Sequence, residues 1–132
     1  MNYNEVRGLL GEAIAVYNPA LALNTYSYVP QSLTPPAVIL QPAPRRTIDY
    51  LEAKQSRTAK WRFNVIIVVG QVDEEAAQQQ AGDMISPGST LLNALNVRMG
   101  TGYAQVTDGG ISQMQFDQGL YTYAELSVVV LA

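Results

Sequence analysis

KWRFNVIIVVGQ, residues Lys60–Gln71, carries the strongest strand signal in the chain. Side chains of a β-strand alternate between the two faces of a sheet. One face would carry Trp61, Phe63, Val65, Ile67 and Val69, and the other would carry Arg62, Asn64, Ile66 and Val68. The second face is polar only at its start. The pattern therefore predicts a long central strand that is buried on both faces toward Val68 and whose first half projects beyond the body.

The segments before this strand predict one helix and two short strands. Residues 4–17 place apolar side chains at the i, i+3, i+4, i+7 spacing of an amphipathic helix, which Asn2 or Asn4 can cap. Residues 24–30 and 37–40 have strand character and are flanked by prolines. Proline cannot donate to a β-ladder, so we expect both strands at edges or strand ends.

After the central strand, the sequence predicts two further helices. Asp73 can cap a helix that begins with two glutamates and ends near Ile85, because acids in the first turn favour the helix dipole. Ser86-Pro87 then predicts a new helix start, with serine as the cap and proline as the first residue. Gly100 would end this helix.

The last third predicts a three-stranded meander. The strands are residues 103–107, 111–116 and 120–131, separated by glycine-containing turns at 108–110 and 117–119. The complete order predicts an α+β fold in one domain, residues 1–132, with one mixed, mostly antiparallel β-sheet. Two to three helices would pack on one face, and a long central hairpin would project from the body.

Composition excludes several kinds of chemistry. The chain of 132 residues has no cysteine and no histidine, so zinc sites, serine-type triads and thiolate chemistry lack their usual residues. Hydrophobic residues make up 48% and charged residues 14%, against about 25% charged in typical domains. Such a sparsely charged surface favours self-association. We expect no cofactor, no bound metal and no enzymatic activity.

The chain has no signal for a membrane or for secretion. Its longest apolar run, Val65–Val69, is five residues, far short of a bilayer span. The N-terminus lacks the basic start and apolar core of a signal peptide. We therefore expect synthesis in a cytoplasm and no membrane partner.

Charge is distributed unevenly along the chain. Residues 45–62 have a local charge of +4 while the remainder carries −7. The basic side chains are Arg45, Arg46, Lys54, Arg57, Lys60 and Arg62. This segment could be a solvated loop, or it could join subunits or face a polyanion in a lumen. Tyr121 and Tyr123 share the strand face opposite to the apolar one, which makes them candidate interface aromatics because tyrosine is enriched in protein contacts.

Other motifs are better explained by structure than by catalysis. The glycines near Gly100 and Gly109 match neither a dinucleotide-binding fingerprint nor a P-loop. Asp49 and Glu52 lie in a proline-flanked loop and offer no rigid carboxylate pair of the glycosidase kind. A small carboxylate enzyme or ligand-binding domain is the alternative from a different class, and a deep pocket with convergent acids would favour it.

The layout as a whole resembles the tail terminator proteins of long-tailed siphophages, particularly those infecting actinobacteria. The phrases that carry the likeness are Tyr26-Ser27-Tyr28-Val29-Pro30, Pro35-Pro36-Ala37-Val38-Ile39-Leu40-Gln41-Pro42, Ile48-Asp49-Tyr50, Trp61-Arg62-Phe63-Asn64-Val65-Ile66-Ile67-Val68-Val69-Gly70, Asp73-Glu74-Glu75-Ala76-Ala77-Gln78 and Tyr123-Ala124-Glu125-Leu126-Ser127-Val128-Val129-Val130. The paired prolines are the most distinctive part. The likeness is one of element order and short apolar phrases.

The resemblance implies a structural role in the virion without catalytic residues. Family members form a hexameric ring that ends polymerisation of the tail tube and joins the tail to the head connector. The implied partners are further copies of the chain, the tail tube protein, the connector protein and genomic DNA passing through the lumen. Another neck or tail-completion protein of the same virion is the closest alternative.

Overall fold

The computed structural model describes residues 2–17, 25–26, 36–49, 59–71, 75–89, 92–93, 96, 98–99, 102–116 and 119–132. Two helices and seven strands are defined in these ranges. They are α1 (Tyr3–Tyr17), β1 (Thr25–Tyr26), β2 (Ala37–Pro42), β3 (Ile48–Asp49), β4 (Lys60–Gln71), α2 (Glu75–Ile85), β5 (Arg98–Met99), β6 (Gly102–Phe116) and β7 (Gly119–Leu131).

All described strands form one sheet in the order β1-β2-β4-β7-β6-β5, and β3 pairs with β4 next to β2. The pairings are antiparallel except for the parallel contact between β1 and β2. This arrangement confirms the prediction of an α+β fold with one mostly antiparallel sheet. Residues 27–35 and 50–58, which include most of the first predicted strand and the predicted loop after β3, lie outside the described residues.

Both described helices pack on the same face of the sheet, called the helix face below. The core there joins Val6, Leu10 and Ile14 of α1 and Ala77 and Ala81 of α2 to one side of the central strands. The strand residues in this cluster include Val38, Leu40, Trp61, Phe63, Val65, Ile67, Val69, Ala104, Ala124, Leu126, Val128 and Val130. The two-residue alternation predicted for β4 is therefore confirmed.

The first half of β4 does not project from the body. It pairs with β7 on one side and with β2 and β3 on the other. Trp61 is 7% exposed and Phe63 is 1% exposed, because the ring of Tyr3 lies 6.4 Å and 5.5 Å from their respective rings. The polar residues that suggested projection lie on the opposite face, called the open face, over which neither α1 nor α2 packs.

Strand β6 runs without a break through the predicted turn at 108–110, so that prediction is wrong. The register with β7 shifts between Val106 and Asp108, which leaves Thr107 as an extra residue in a bulge. Gly109 then lies over Leu126, and a Cβ atom at this glycine would come within 2.8 Å of the Leu126 side chain. A side chain at Gly109 would therefore force Leu126 to shift.

One predicted helix cap is confirmed and one is wrong, while the predicted cap Asp73 lies outside the described residues. Asn2 caps α1, as predicted: its Oδ1 accepts from the Glu5 amide at 2.9 Å, and Glu5 accepts in return from the Asn2 amide at 3.3 Å. After α2, the predicted cap Ser86 is wrong, because its hydroxyl donates back to the Gly82 carbonyl at 2.7 Å. Ser89 is the cap, since its Oγ accepts from the Leu92 amide at 3.1 Å. Of the residues predicted for the helix that follows, 90–91, 94–95, 97 and 100 lie outside the described residues.

Candidate functional site

The connection between β2 and β3 bulges from the edge of β4 around Arg62. The Arg62 carbonyl accepts from the Ala43 amide at 3.0 Å, and the Arg62 amide donates to the Thr47 carbonyl at 2.8 Å. The Thr47 hydroxyl closes the loop by donating to the Ala43 carbonyl at 2.9 Å. Both strands thus follow the same edge of β4, and the residues between Ala43 and Thr47 are pushed outward.

This loop brings three of the predicted basic residues together as the basic corner, defined as Arg45, Arg46 and Arg62. Arg45 and Arg46 are exposed. The Arg62 guanidinium donates to the Arg46 carbonyl at 3.5 Å and lies 3.9 Å from the Asp49 carboxylate. Lys60 is half-buried, two residues before Arg62 on β4. Lys54 and Arg57 lie outside the described residues.

Arg45 occupies a strained backbone conformation. Its φ angle is +66°, in the left-handed region that favours glycine and costs other residues about 1–2 kcal/mol. Among the described non-glycine residues, it alone has a positive φ. Backbone strain of this kind at an exposed position is a reason to seek a role for the side chain.

An acidic pair, Asp108 and Glu125, lies toward the opposite edge of the same sheet on the open face. Register pairs connect Asp108, Ser127, Asn64 and Gln41 in one row across four strands. Three inter-strand spacings separate the ends of that row, a distance of about 14 Å. The basic corner follows Gln41 by only a few residues. Opposite charges therefore lie on opposite sides of the sheet centre, with the basic corner on the side of β2 and β4 and the acidic pair on β6 and β7, near the same level.

Tyr121 and Tyr123 both lie on the open face, as the alternation predicted, but only Tyr123 keeps accessible surface for contact with a partner. Tyr121 is 5% exposed and packs in a second cluster with Ala37, Ile39, Ile66 and Val68. Tyr121 therefore presents little surface in the isolated chain, and its role at an interface stays a prediction. Tyr123 is half-buried at the margin of this cluster and keeps some accessible surface.

Two cavities border β6. One, of about 270 Å³, lies beside the acidic pair and is lined by Asp108, Gly109, Gly110, Ile111, Ser112, Glu125 and Ser127. Asp108 is exposed there, so water surrounds at least one of the two carboxylates. Across the ranges that the structure describes, no group of three or more acids, histidines or cysteines is placed to hold a metal. No described helix has the length and apolarity to cross a bilayer.

The second cavity, about 450 Å³, is named the Thr122 cleft. Its lining residues are Gln78, Ile111, Ser112, Gln113 and Thr122. Thr122 is 1% exposed, and within the described structure its hydroxyl has no hydrogen-bond partner. Sequence reasoning assigned Thr122 no role, and a lone threonine in an apolar strand gives no signal of one.

Comparison with known proteins gives no relative on which to base an assignment. No protein-family model matches the chain, and a search of curated proteins finds no match.

Proposed function

We propose that this protein is a tail terminator, a virion protein that closes into a ring at the head-proximal end of a phage tail and works through shape and charge. The ring, a hexamer, would stop addition of tail tube subunits and offer the surface to which the head connector docks. The observation that supports this proposal best is the separation of the basic corner, on the side of β2 and β4, from the acidic pair, on β6 and β7 of the same sheet.

A cyclic ring needs two different patches per subunit that fit each other head to tail. The basic corner of one copy can meet the acidic pair of the next, and complementary charges of this kind set register and suppress wrong contacts. The strained Arg45 supports the idea that the corner is kept for its side chains. Only 14% of all residues in the chain are charged, so these patches stand out against a sparsely charged surface.

The projecting hairpin predicted from sequence enters the proposal in a modified form. At this end of the sheet, the contact between β4 and β7 stops at the pair Gln71–Tyr121. Strand β7 begins two residues earlier, at Gly119. We propose that this end of the β6–β7 hairpin reaches toward the tail tube protein. Genomic DNA would pass through the ring without sequence-specific contacts.

A charge-swap series tests the head-to-tail contact. We expect R45E/R46E to lose ring formation, D108R/E125R to lose it as well, and the four substitutions together to restore it, because the swapped chain regains complementarity. Ring formation is measured by analytical ultracentrifugation and negative-stain imaging, both alone and in the presence of tube ends. E75R/D83R is the matched control, since it reverses two exposed acids on α2.

The outcome also separates the alternatives. If the basic corner faces DNA in the lumen, adding R45E/R46E to D108R/E125R will not restore ring formation. That result would contradict the proposed contact between the basic corner of one copy and the acidic pair of the next. In phage lacking the protein, overlong or uneven tails are expected for a terminator. Normal tails on leaky heads would assign the protein to head closure and contradict the proposal.

A further inference from the structure

Within the described residues, the outer edge of β6 has no strand partner along its second half, which is called the open edge below. Backbone groups of a strand point alternately to its two neighbours. The Val106 amide points away from β7, because it donates to Oδ1 of Asn96 at 2.8 Å. Val106 lies opposite Val128 of β7. Gly109, Ile111 and Gln113 lie opposite residues that are two, four and six positions before Val128, so each occupies the same kind of pair as Val106. The backbone groups of these last three residues therefore also point outward, and no described residue pairs with them.

Apart from the bulge at Thr107, the described edge lacks the features that usually prevent strand addition. Strand β5 covers only the first two residues of β6, and Asn96 covers Val106. Beyond the bulge at Thr107, the stretch Gly109–Gln113 has no charge and no proline. Natural edges are commonly protected by lysine, proline or short length. An edge without these features is suited to pairing with another strand.

The Thr122 cleft lies beside this open edge on the helix face. It is lined by Ile111 and Gln113, two of the residues with outward backbone groups, and by α2 through Gln78. In strand addition, backbone hydrogen bonds give affinity, and pockets for alternate side chains give specificity. A polar side chain of the added strand would enter the cleft and supply the partner that the buried Thr122 hydroxyl lacks.

We infer that the open edge of β6 and the Thr122 cleft bind a strand of a second copy of this chain. The inference rests on the proposed ring and names its contact. In the described structure β1 pairs with the outer edge of β2 at Val38 and Ile39 and is therefore the strand at that end of the sheet. A sheet continued from one copy to the next would place β1, which is parallel to β2, antiparallel to β6. The row through Gln41 and Asp108 would then hold the basic corner and the acidic pair of neighbouring copies at the same level, about two strand spacings, or roughly 10 Å, apart.

Hydrogen exchange by NMR tests the strand pairing, residue by residue. In the free chain, the amides of Gly109, Ile111 and Gln113 should exchange fast, while the Val106 amide, held by Asn96, should exchange more slowly. In the ring, the three edge amides should slow by at least tenfold and Val106 should change little. Val106 thus serves as an internal control on the same strand.

Three outcomes would overturn the inference in distinguishable ways. Rings whose edge amides exchange as fast as in the free chain would refute strand pairing and leave the ring proposal standing. Protection caused by the tail tube protein without self-association would assign the edge to a different partner. Failure to form rings, in solution or on tube ends, would refute both the inference and the proposed function.

The cleft is tested separately by changing its buried hydroxyl. T122V should leave the unfolding midpoint of the monomer unchanged or higher, because it removes an unpaired buried polar atom. It should raise the Kd of self-association about fivefold by removing one hydrogen bond. T122S, which keeps the hydroxyl, should stay within about twofold of the original Kd. An unchanged Kd in T122V would exclude Thr122 from the contact.

Discussion

Gly109 and Gly110 are adjacent in β6 and have different surroundings. A Cβ atom at Gly109 would lie 2.8 Å from Leu126, 3.4 Å from the Glu125 carbonyl oxygen and 3.6 Å from Ile85, whereas at Gly110 no atom lies within 4 Å. Leu126 is 1% exposed, so it has little room to move. The two glycines share a sequence signal but not a structural role.

We therefore predict opposite effects for alanine at these two positions. G109A should lower the free energy of unfolding by about 1–3 kcal/mol through overpacking. G110A should raise it by up to about 1 kcal/mol, because glycine is unfavourable within a strand. Urea unfolding of the two variants measures both. Equal stability of G109A and G110A would contradict the close packing of Gly109 beneath α2.

Sequence reasoning succeeded at the residue scale where periodicity decides the environment. The alternation in β4 correctly separated the residues of the helix face from those of the open face. It failed where neighbours in space decide. Asp108-Gly109-Gly110 has the composition of a turn, but the reason for Gly109 is a leucine on another strand. Tyr121 lies on the predicted face, yet an apolar cluster from β2 and β4 buries it.

At the scale of elements, the start of the helix after α2 shows how a cap is chosen. Ser86 and Ser89 both precede the helical residues, and Ser86 is followed by proline, as in a common helix start. The geometry favours Ser89, whose Oγ accepts from Leu92 while its hydrogen is donated to the Met84 carbonyl at 2.8 Å. This one side chain links the end of α2 to the beginning of the next turn.

We predict that S89A lowers the free energy of unfolding by about 1 kcal/mol, the usual loss when a capping hydroxyl is removed. S86A should cost clearly less, because the Ser86 hydroxyl is exposed and only returns to a carbonyl within α2. Thermal unfolding of both variants provides the comparison. A larger loss in S86A would show that the sequence-based assignment of the cap was correct.

The sequence closely predicted the helices and strands that have a strong internal pattern. It did not predict which other segments pair with them. Helix α1 and strands β4 and β7 follow from spacing alone. The two-strand edge formed by β2 and β3, and the coverage of β6 by Asn96, depend on contacts between residues far apart in sequence. The basic corner was predicted as a charged segment, but its loop geometry and its distance from the acidic pair required the fold.

At the scale of the whole molecule, the proposed ring depends on attraction between exposed charges. Such attraction is screened by salt, with a Debye length of about 10 Å at 0.1 M and about 3 Å at 1 M. We predict that self-association weakens at least tenfold between these concentrations, and that the four-residue charge swap behaves like the original chain. Sedimentation equilibrium across a salt series measures this. Association that strengthens with salt would indicate an apolar contact instead.

The extra residue in β6 has a geometric consequence for any closed assembly. Thr107 bends the strand at the outer margin of the sheet, and its hydroxyl fastens the bend to the Ser127 carbonyl at 3.2 Å. Deleting that single codon would leave every later side chain facing as before, since Val106 and Asp108 already pair with consecutive residues of β7. Only the curvature would change. A flatter margin alters the angle between neighbouring copies, and with it the circumference at which a circle of them can close.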